Sequence, residues 1–247
     1  MDLGEQGSTS ARHPWEVVRA EFFRRIAADA CDLGAVRRVL DVGAGDGWFA
    51  DEIAPSLSPD ARIVCWDVNY DATQLAAPTS AVVHRTAVRP AGSFQLVFLL
   101  DVLEHVDDDA ALLRDDVVPL LAGDGVLIVS VPAHPALFSA HDAFLHHQRR
   151  YRPRDLTALL AEHVDVVRHG SLFGSLIVGR AAQVVAERAG RHRRQTGVGA
   201  WHGGPRTTRT ITRALRADAS VGYHLSARNL PVPGLSSWAV CRPRRAW

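Results

Sequence analysis

Nine consecutive residues constrain this chain more than any others. Val39-Leu40-Asp41-Val42-Gly43-Ala44-Gly45-Asp46-Gly47 sets an apolar run directly before three alternating glycines, with a helix-compatible stretch opening at Trp48. Glycine reaches left-handed backbone angles at little steric cost, so the run predicts a buried strand turning into a helix, with bare backbone that a ligand can approach. The nicotinamide-binding fingerprint asks for a further glycine at position 48 and seldom an acid at 41. Trp48 and Asp41 therefore argue against a dehydrogenase, and an ordinary strand-to-helix turn stays open as the plain alternative.

A strand and helix rhythm surrounds this turn. Short apolar runs predict strands at 38–42, 62–67, 81–85, 96–100, 125–131, 164–169 and 236–241. Helical spacing predicts helices at 15–30, 48–53, 71–75, 108–121 and 153–163, with Pro55, Pro59 and Gly123 as stops. Continuous apolar strands suit a mostly parallel sheet covered on both faces, so the fold class is α/β: a Rossmann-like, doubly wound, seven-stranded sheet. About 65 residues separate the last two strands, far beyond an ordinary connection. The expectation is one domain over 13–247 after a disordered tail at 1–12, with 171–235 as a helical insertion forming a lid or substrate wall. Within it, helices are expected at 172–189 and near 207–217.

Composition narrows the partners little. The chain has 247 residues and a net charge of +1, and every one of its basic residues is Arg. Eight of these arginines fall between Arg188 and Arg216 with no acid among them, which permits an anionic partner or membrane surface, or simply a solvated basic face. Cys31, Cys65 and Cys241 lie far apart without metal-type spacing, which fits a reducing, cytoplasmic setting. No transmembrane helix is expected, because the apolar run 171–186 is short and carries Arg180.

Asp41 offers a carboxylate to a cationic ligand end. Asp67 closes the second strand 26 residues later, where a carboxylate can take both hydroxyls of a ribose. Asn69 is the better helix cap nearby, leaving Asp67 to the ligand. With Phe94-Gln95-Leu96-Val97-Phe98-Leu99-Leu100-Asp101-Val102-Leu103-Glu104-His105-Val106, these residues make 38–121 resemble class I S-adenosylmethionine-dependent methyltransferases of the ubiquinone and menaquinone biosynthesis type. The resemblance implies S-adenosylmethionine as cofactor, held by Asp41, Gly43, Gly45, Gly47, Asp67, Thr86, Ala87, Leu100 and Asp101. Thr86 stands where that family commonly has an adenine-contacting Asp, and Gln95 where an Asp commonly follows the Phe. His13-Pro14-Trp15 and Arg19 look like a relaxed form of a His-x-Trp-x-x-x-Arg helix seen in some members.

Methyl transfer asks chiefly for alignment, water exclusion and sometimes proton removal. The acceptor is expected beyond the fourth and fifth strands, at 130–151, where four histidines, Asp142, Arg149 and Arg150 gather. This segment resembles the HD and H-x-R-R-Y elements of a bacterial subset of these enzymes. His141 or His147 is the candidate base and Asp142 its orienting acid; the alternative is that they only fix the loop, with the two arginines as surface charges. No metal is assigned. Asp101, Glu104, His105 and His147 nevertheless resemble the ligand set of certain Mg-dependent O-methyltransferases, although that pattern begins with Glu. The leading expectation is O-methylation of a small or lipid-like molecule, with N- or C-methylation close behind and peripheral membrane contact permitted. RNA methylation, with no recognised nucleic-acid module to support it, and a non-catalytic cofactor-binding protein are the competing readings.

Overall fold

The computed structural model describes residues 12–190, 201–228, 230 and 232–244. The expected tail at 1–12 falls almost wholly outside the described residues, as does much of the Gly- and Arg-rich loop at 190–205. Seven strands form one sheet in the order β3-β2-β1-β4-β5-β7-β6. They are β1 (Arg38–Val42), β2 (Arg62–Trp66), β3 (Val83–Thr86), β4 (Phe94–Leu100), β5 (Leu121–Pro132), β6 (Val164–Leu172) and β7 (Ser236–Pro243). All neighbours pair in parallel except β7, which runs antiparallel between β5 and β6. The expected doubly wound, mostly parallel sheet is thus present.

Alternation along the central strands builds two cores. Val39, Ile63, Leu96, Phe98 and Ile128 face one layer, with Phe23 and Ile26 of α1 (Pro14–Ala30). Leu40, Val97, Leu99, Leu127 and Val129 face the other, with Leu156 and Leu160 of α6 (Pro153–Ala161). α1 starts sharply because Pro14 occupies its first turn and His13 and Glu16 form a reciprocal capping box. β1 pairs with both β2 and β4, so the chain reverses its direction of travel across the sheet there. Ligands in such sheets bind beyond the strand ends at that switch point, which here means after Val42 and Leu100.

Two sequence expectations shift. Gly123 does not stop a helix: the segment α4 (Asp109–Ala111) runs on through a π turn and a 3-10 turn to Leu120, and β5 begins at Leu121. The register jumps from Phe94↔Leu121 to Leu96↔Val126, so the glycine-bearing residues between are absorbed as an irregularity within β5. The helix expected from Leu172 instead begins four residues later, as α7 (Leu176–Arg188), because Leu172 still pairs with Ser236 in β6.

The long insertion divides by task. α8 (Pro205–Ser226) covers the sheet beside α1, burying Leu215, Ala219, Gly222 and Ser226 along one stripe. A Cβ on Gly222 would meet the Ser171 carbonyl oxygen at 2.9 Å, so glycine permits that close approach. Arg216 pairs with Glu21, and Arg168 and the Tyr223 hydroxyl both donate to Asp29. α8 is therefore a layer of the fold. α7 reaches the residues after β5: Arg180 pairs with Asp142, and Glu187 accepts from the Ala140 amide. Among the described residues no helix is long and apolar enough to cross a membrane.

Candidate functional site

The glycine loop is locked to the end of β2. Gly43 N donates to the Trp66 carbonyl at 2.7 Å, Gly45 N donates to Asp67 Oδ2 at 3.0 Å, and Arg85 donates to the Asp46 carbonyl at 2.7 Å. Gly43, Gly45 and Gly47 all have positive φ, as their pattern predicts. At Gly43 (φ 65°) the constraint is doubled, because a Cβ would meet Val102 Cγ2 at 2.5 Å. Asp67 receives the Asn69 amide on its other oxygen, and its carboxylate keeps lone pairs for further donors. The cap of α3 (Ala72–Ala76) is Asp71, in a capping box with Gln74, and not Asn69.

A cavity of about 550 Å³ opens at these strand ends, lined by Gly43, Asp67 and Asp101 together with Val68, Asn69, Val102, His105 and Val106. A bare glycine backbone, a ribose-type carboxylate at the end of β2 and an apolar wall after β4 fit S-adenosylmethionine. Asp41, Gly45, Gly47, Leu100, Thr86 and Ala87 do not themselves line the cavity. Leu100 is core; Asp41 is buried at the end of β1. Burial, with the charges of Asp67 and Asp46 adding to it, pushes the Asp41 carboxyl up to about 7. Thr86 closes β3, and its hydroxyl is engaged with the Val88 backbone. Gln95 lies at the opposite end of the sheet, where its Oε1 accepts the Arg37 amide at 2.8 Å. Its departure from the family pattern is a matter of strand tethering, away from the cavity.

A second cavity of about 170 Å³ adjoins the first and shares Asp101, His105 and Leu145 with it. It brings together His141, Asp142 and His147 with Glu104, Trp15 and Arg19 of α1, Arg150 and Arg180. Asp101 sits at φ 58°, a left-handed angle rare outside glycine, where Arg19 pairs with Oδ2 at 2.7 Å and the Ser130 hydroxyl donates to Oδ1 at 2.8 Å. Burial works against its ionisation, but the Arg19 charge and the Ser130 hydrogen bond outweigh it and hold the carboxyl below its usual range.

Asp142 is fully buried and gathers donors from three directions. Arg150 pairs with Oδ1 at 2.8 Å, Arg180 with Oδ2 at 2.6 Å, and His147 Nδ1 lies 3.1 Å from Oδ1. The Ser139 amide and hydroxyl also donate to Oδ2. Burial opposes the charge, yet these donors hold the carboxyl well below the usual range, so it stays an anion. Glu104 is the contrast. It is 0% exposed, neither carboxylate oxygen has a partner among the described residues, and burial with the Asp101 charge raises its carboxyl well above the ordinary value. One oxygen of Glu104 and ring nitrogens of His105 and His147 lie within 4.8 Å of one another. Asp101, the fourth member of the expected ligand set, is not in that group and is engaged by Arg19 and Ser130.

The two adjacent arginines have separate duties. Arg150 is buried against Asp142, while Arg149 bonds Asp109 and the carbonyls of Val106 and Asp107. Neither is a free surface charge. Sequence reasoning passed over Arg180 altogether as a site residue, because it lies 38 positions from Asp142 inside an apolar helix. Its only signal was a charge interrupting that run.

Residues 15–175, more than half of the chain, match the model of a family described as a methyltransferase domain. Over 102 residues the chain is 29% identical to methyltransferase str2 of Strobilurus tenacellus, covering 40% of this chain and 36% of that protein. Over 106 residues it is 33% identical to a ubiquinone biosynthesis O-methyltransferase of Psychrobacter cryohalolentis, covering 39% of this chain and 41% of that protein. These matches thus span about two fifths of the relatives' lengths. Among solved structures, the [4+2]-cyclase SpnF aligns with a TM-score of 0.56 at 15% identity, over 98% of this chain and 85% of that one. The plantazolicin methyltransferase BpumL, solved in complex with SAH, aligns at 0.55 and 13%, over 94% and 85%. At such identities these structures speak for the fold alone. Family match, sheet order and the glycine-lined cavity agree: this chain belongs to the methyltransferase-domain family, as a class I S-adenosylmethionine-dependent methyltransferase domain.

Proposed function

We propose that the protein transfers a methyl group from S-adenosylmethionine to an oxygen of a small or lipid-like acceptor whose reactive end enters the cavity of about 170 Å³. The observation that carries this reading is the adjacency of the two cavities, which share Asp101, His105 and Leu145. S-adenosylmethionine, when bound, supplies an electrophilic methyl group on a sulfonium. The chain's own residues align the acceptor, exclude water and take the proton. His147 suits the last task, because Asp142 fixes its Nδ1 side and leaves Nε2 for the acceptor hydroxyl. The acceptor oxygen gains the methyl, its proton passes to His147, and S-adenosylhomocysteine leaves. His141 lines the same cavity and serves to position the acceptor.

Incubation with methyl-labelled S-adenosylmethionine and a panel of hydroxyl acceptors tests this. His147→Asn is expected to lower kcat by about 10²-fold or more while leaving cofactor affinity unchanged. Labelled products that carry the methyl only on nitrogen or carbon, or a His147→Asn variant as fast as the wild type, would refute the reading.

The buried, unpartnered Glu104 beside His105 and His147 favours a second reading, in which these three residues hold a divalent cation that polarises the acceptor oxygen. A carboxylate with two imidazoles suits Zn, Mn or Fe better than Mg. Loss of activity on chelation, restoration by one of these ions and its disappearance in Glu104→Gln would support it. Undiminished turnover in excess chelator, with no metal in the purified protein, would exclude it.

A further inference from the structure

We infer that the acceptor carries a carboxylate, and that Arg180 of α7, aided by Arg19, is the group that selects it. This rests on reading the cavity of about 170 Å³ as the acceptor site. Three arginines line that cavity, Arg19, Arg150 and Arg180. Arg150 is fully engaged: its Nε and Nη2 go to Asp142 and its Nη1 to the Ala133 carbonyl. Arg180 is not. Its side chain is 9% exposed, Nη2 is on Asp142, Nη1 makes only a 3.3 Å bond to Gln183 of its own helix, and Nε has no partner among the described residues. Arg19, 8% exposed, likewise leaves Nε without a partner among the described residues.

Asp142 divides its two oxygens between two guanidiniums, giving Oδ1 to Arg150 and Oδ2 to Arg180, and Asp101 answers Arg19. Guanidinium N–H groups out of water and without acceptors are costly, and a planar carboxylate matches the guanidinium fork in shape as well as charge. Arg180 also stands on α7, an element of the insertion, whereas the residues that would do chemistry stand on the segments after β4 and β5. Arg180 thus reads the acceptor without belonging to the reacting groups.

The test separates binding from turnover. Titrate the purified protein, saturated with S-adenosylhomocysteine, with benzoate and benzamide, and assay methyl transfer in parallel to hydroxybenzoates and hydroxybenzamides. Benzoate is expected to bind tenfold to a hundredfold more tightly than benzamide, the range of a charge-assisted hydrogen bond. Arg180→Gln is expected to bring that ratio near one, and Arg180→Lys to restore part of it, with cofactor affinity constant throughout. Equal binding of the two probes to the wild type overturns the inference. So does an Arg180→Gln variant that melts earlier yet keeps the wild-type ratio, because the arginine is then only a strut for Asp142. A preference for benzoate with no methyl transfer to any acceptor leaves the inference standing and removes the proposed activity.

Discussion

The two halves of the site are made of different material. The cofactor half, around β1 and β2, is shaped by backbone: three glycines at positive φ, amides bonded to the Trp66 carbonyl and Asp67, and a Cβ-free approach to Val102. The proposed acceptor half is shaped by side-chain charge: Arg19, Asp101, Asp142, Arg150 and Arg180 come from four separate stretches of chain and meet in one cavity. A backbone cradle tolerates any neighbour that keeps its φ angles, whereas a buried charge cluster fails when one member leaves.

The sharpest way to break this contrast is Asp142→Ala. Two buried guanidiniums would lose their carboxylate, and removing one partner from such a cluster costs about 3–5 kcal/mol. For a domain of this size that is a fall in Tm of roughly 10 °C. Among the described residues the cofactor half makes no bond to Asp142, so S-adenosylmethionine affinity of the folded fraction, read by calorimetry below the transition, should change less than about threefold. A tenfold loss of cofactor affinity would show that the halves are one unit.

Gly43→Ala probes the other side. The added methyl meets Val102 at 2.5 Å and the backbone is held at φ 65°, a combination expected to cost about 1–3 kcal/mol and to weaken cofactor binding by roughly tenfold or more. Adding Val102→Ala should relieve the clash while the strained φ persists, giving partial recovery. Full recovery would mean that side-chain packing, and not backbone angle, governs this half after all.

These differences also decide what could be read from sequence. β1, the glycine loop and the helix after it are local: Asp41 through Ile53 specify strand, turn and helix within thirteen residues, and the bounds of β1 and α2 (Trp48–Ile53) agree with expectation. β4 was legible as an apolar run, and its tail correctly marked the segment that lines both cavities. The acceptor half resisted because its logic is long-range. Nothing near Asp142 announces Arg180, and nothing in Leu-Glu-His says that Glu104 is buried without a partner. The bonding of Thr86 to Val88 and of Gln95 to Arg37 was equally silent in the sequence, where both positions showed only as departures from the family pattern.

Asp41 is where the two kinds of construction meet, and it supplies the finest test. It is a charged group in the backbone-built half, buried and raised to about 7 chiefly by that burial. Since the folded protein holds this proton more tightly than the unfolded chain, its favourable contribution is complete below pH ~4 and is lost as pH rises towards 7. Asp41→Asn removes the titration, so the variant should gain on the wild type as pH rises from about 4 to 7, by roughly 1.4 kcal/mol per unit of pH at most, whatever constant cost the buried amide adds. Thermal melts across that range measure the effect. If Asp41 serves the cationic end of the cofactor, the same variant binds S-adenosylmethionine more weakly at pH 8, and wild-type affinity declines as pH falls below 7. A variant that is more stable at pH 8 and binds just as tightly would assign Asp41 to the frame of the glycine loop, and leave the cofactor half with no electrostatic component beyond Asp67.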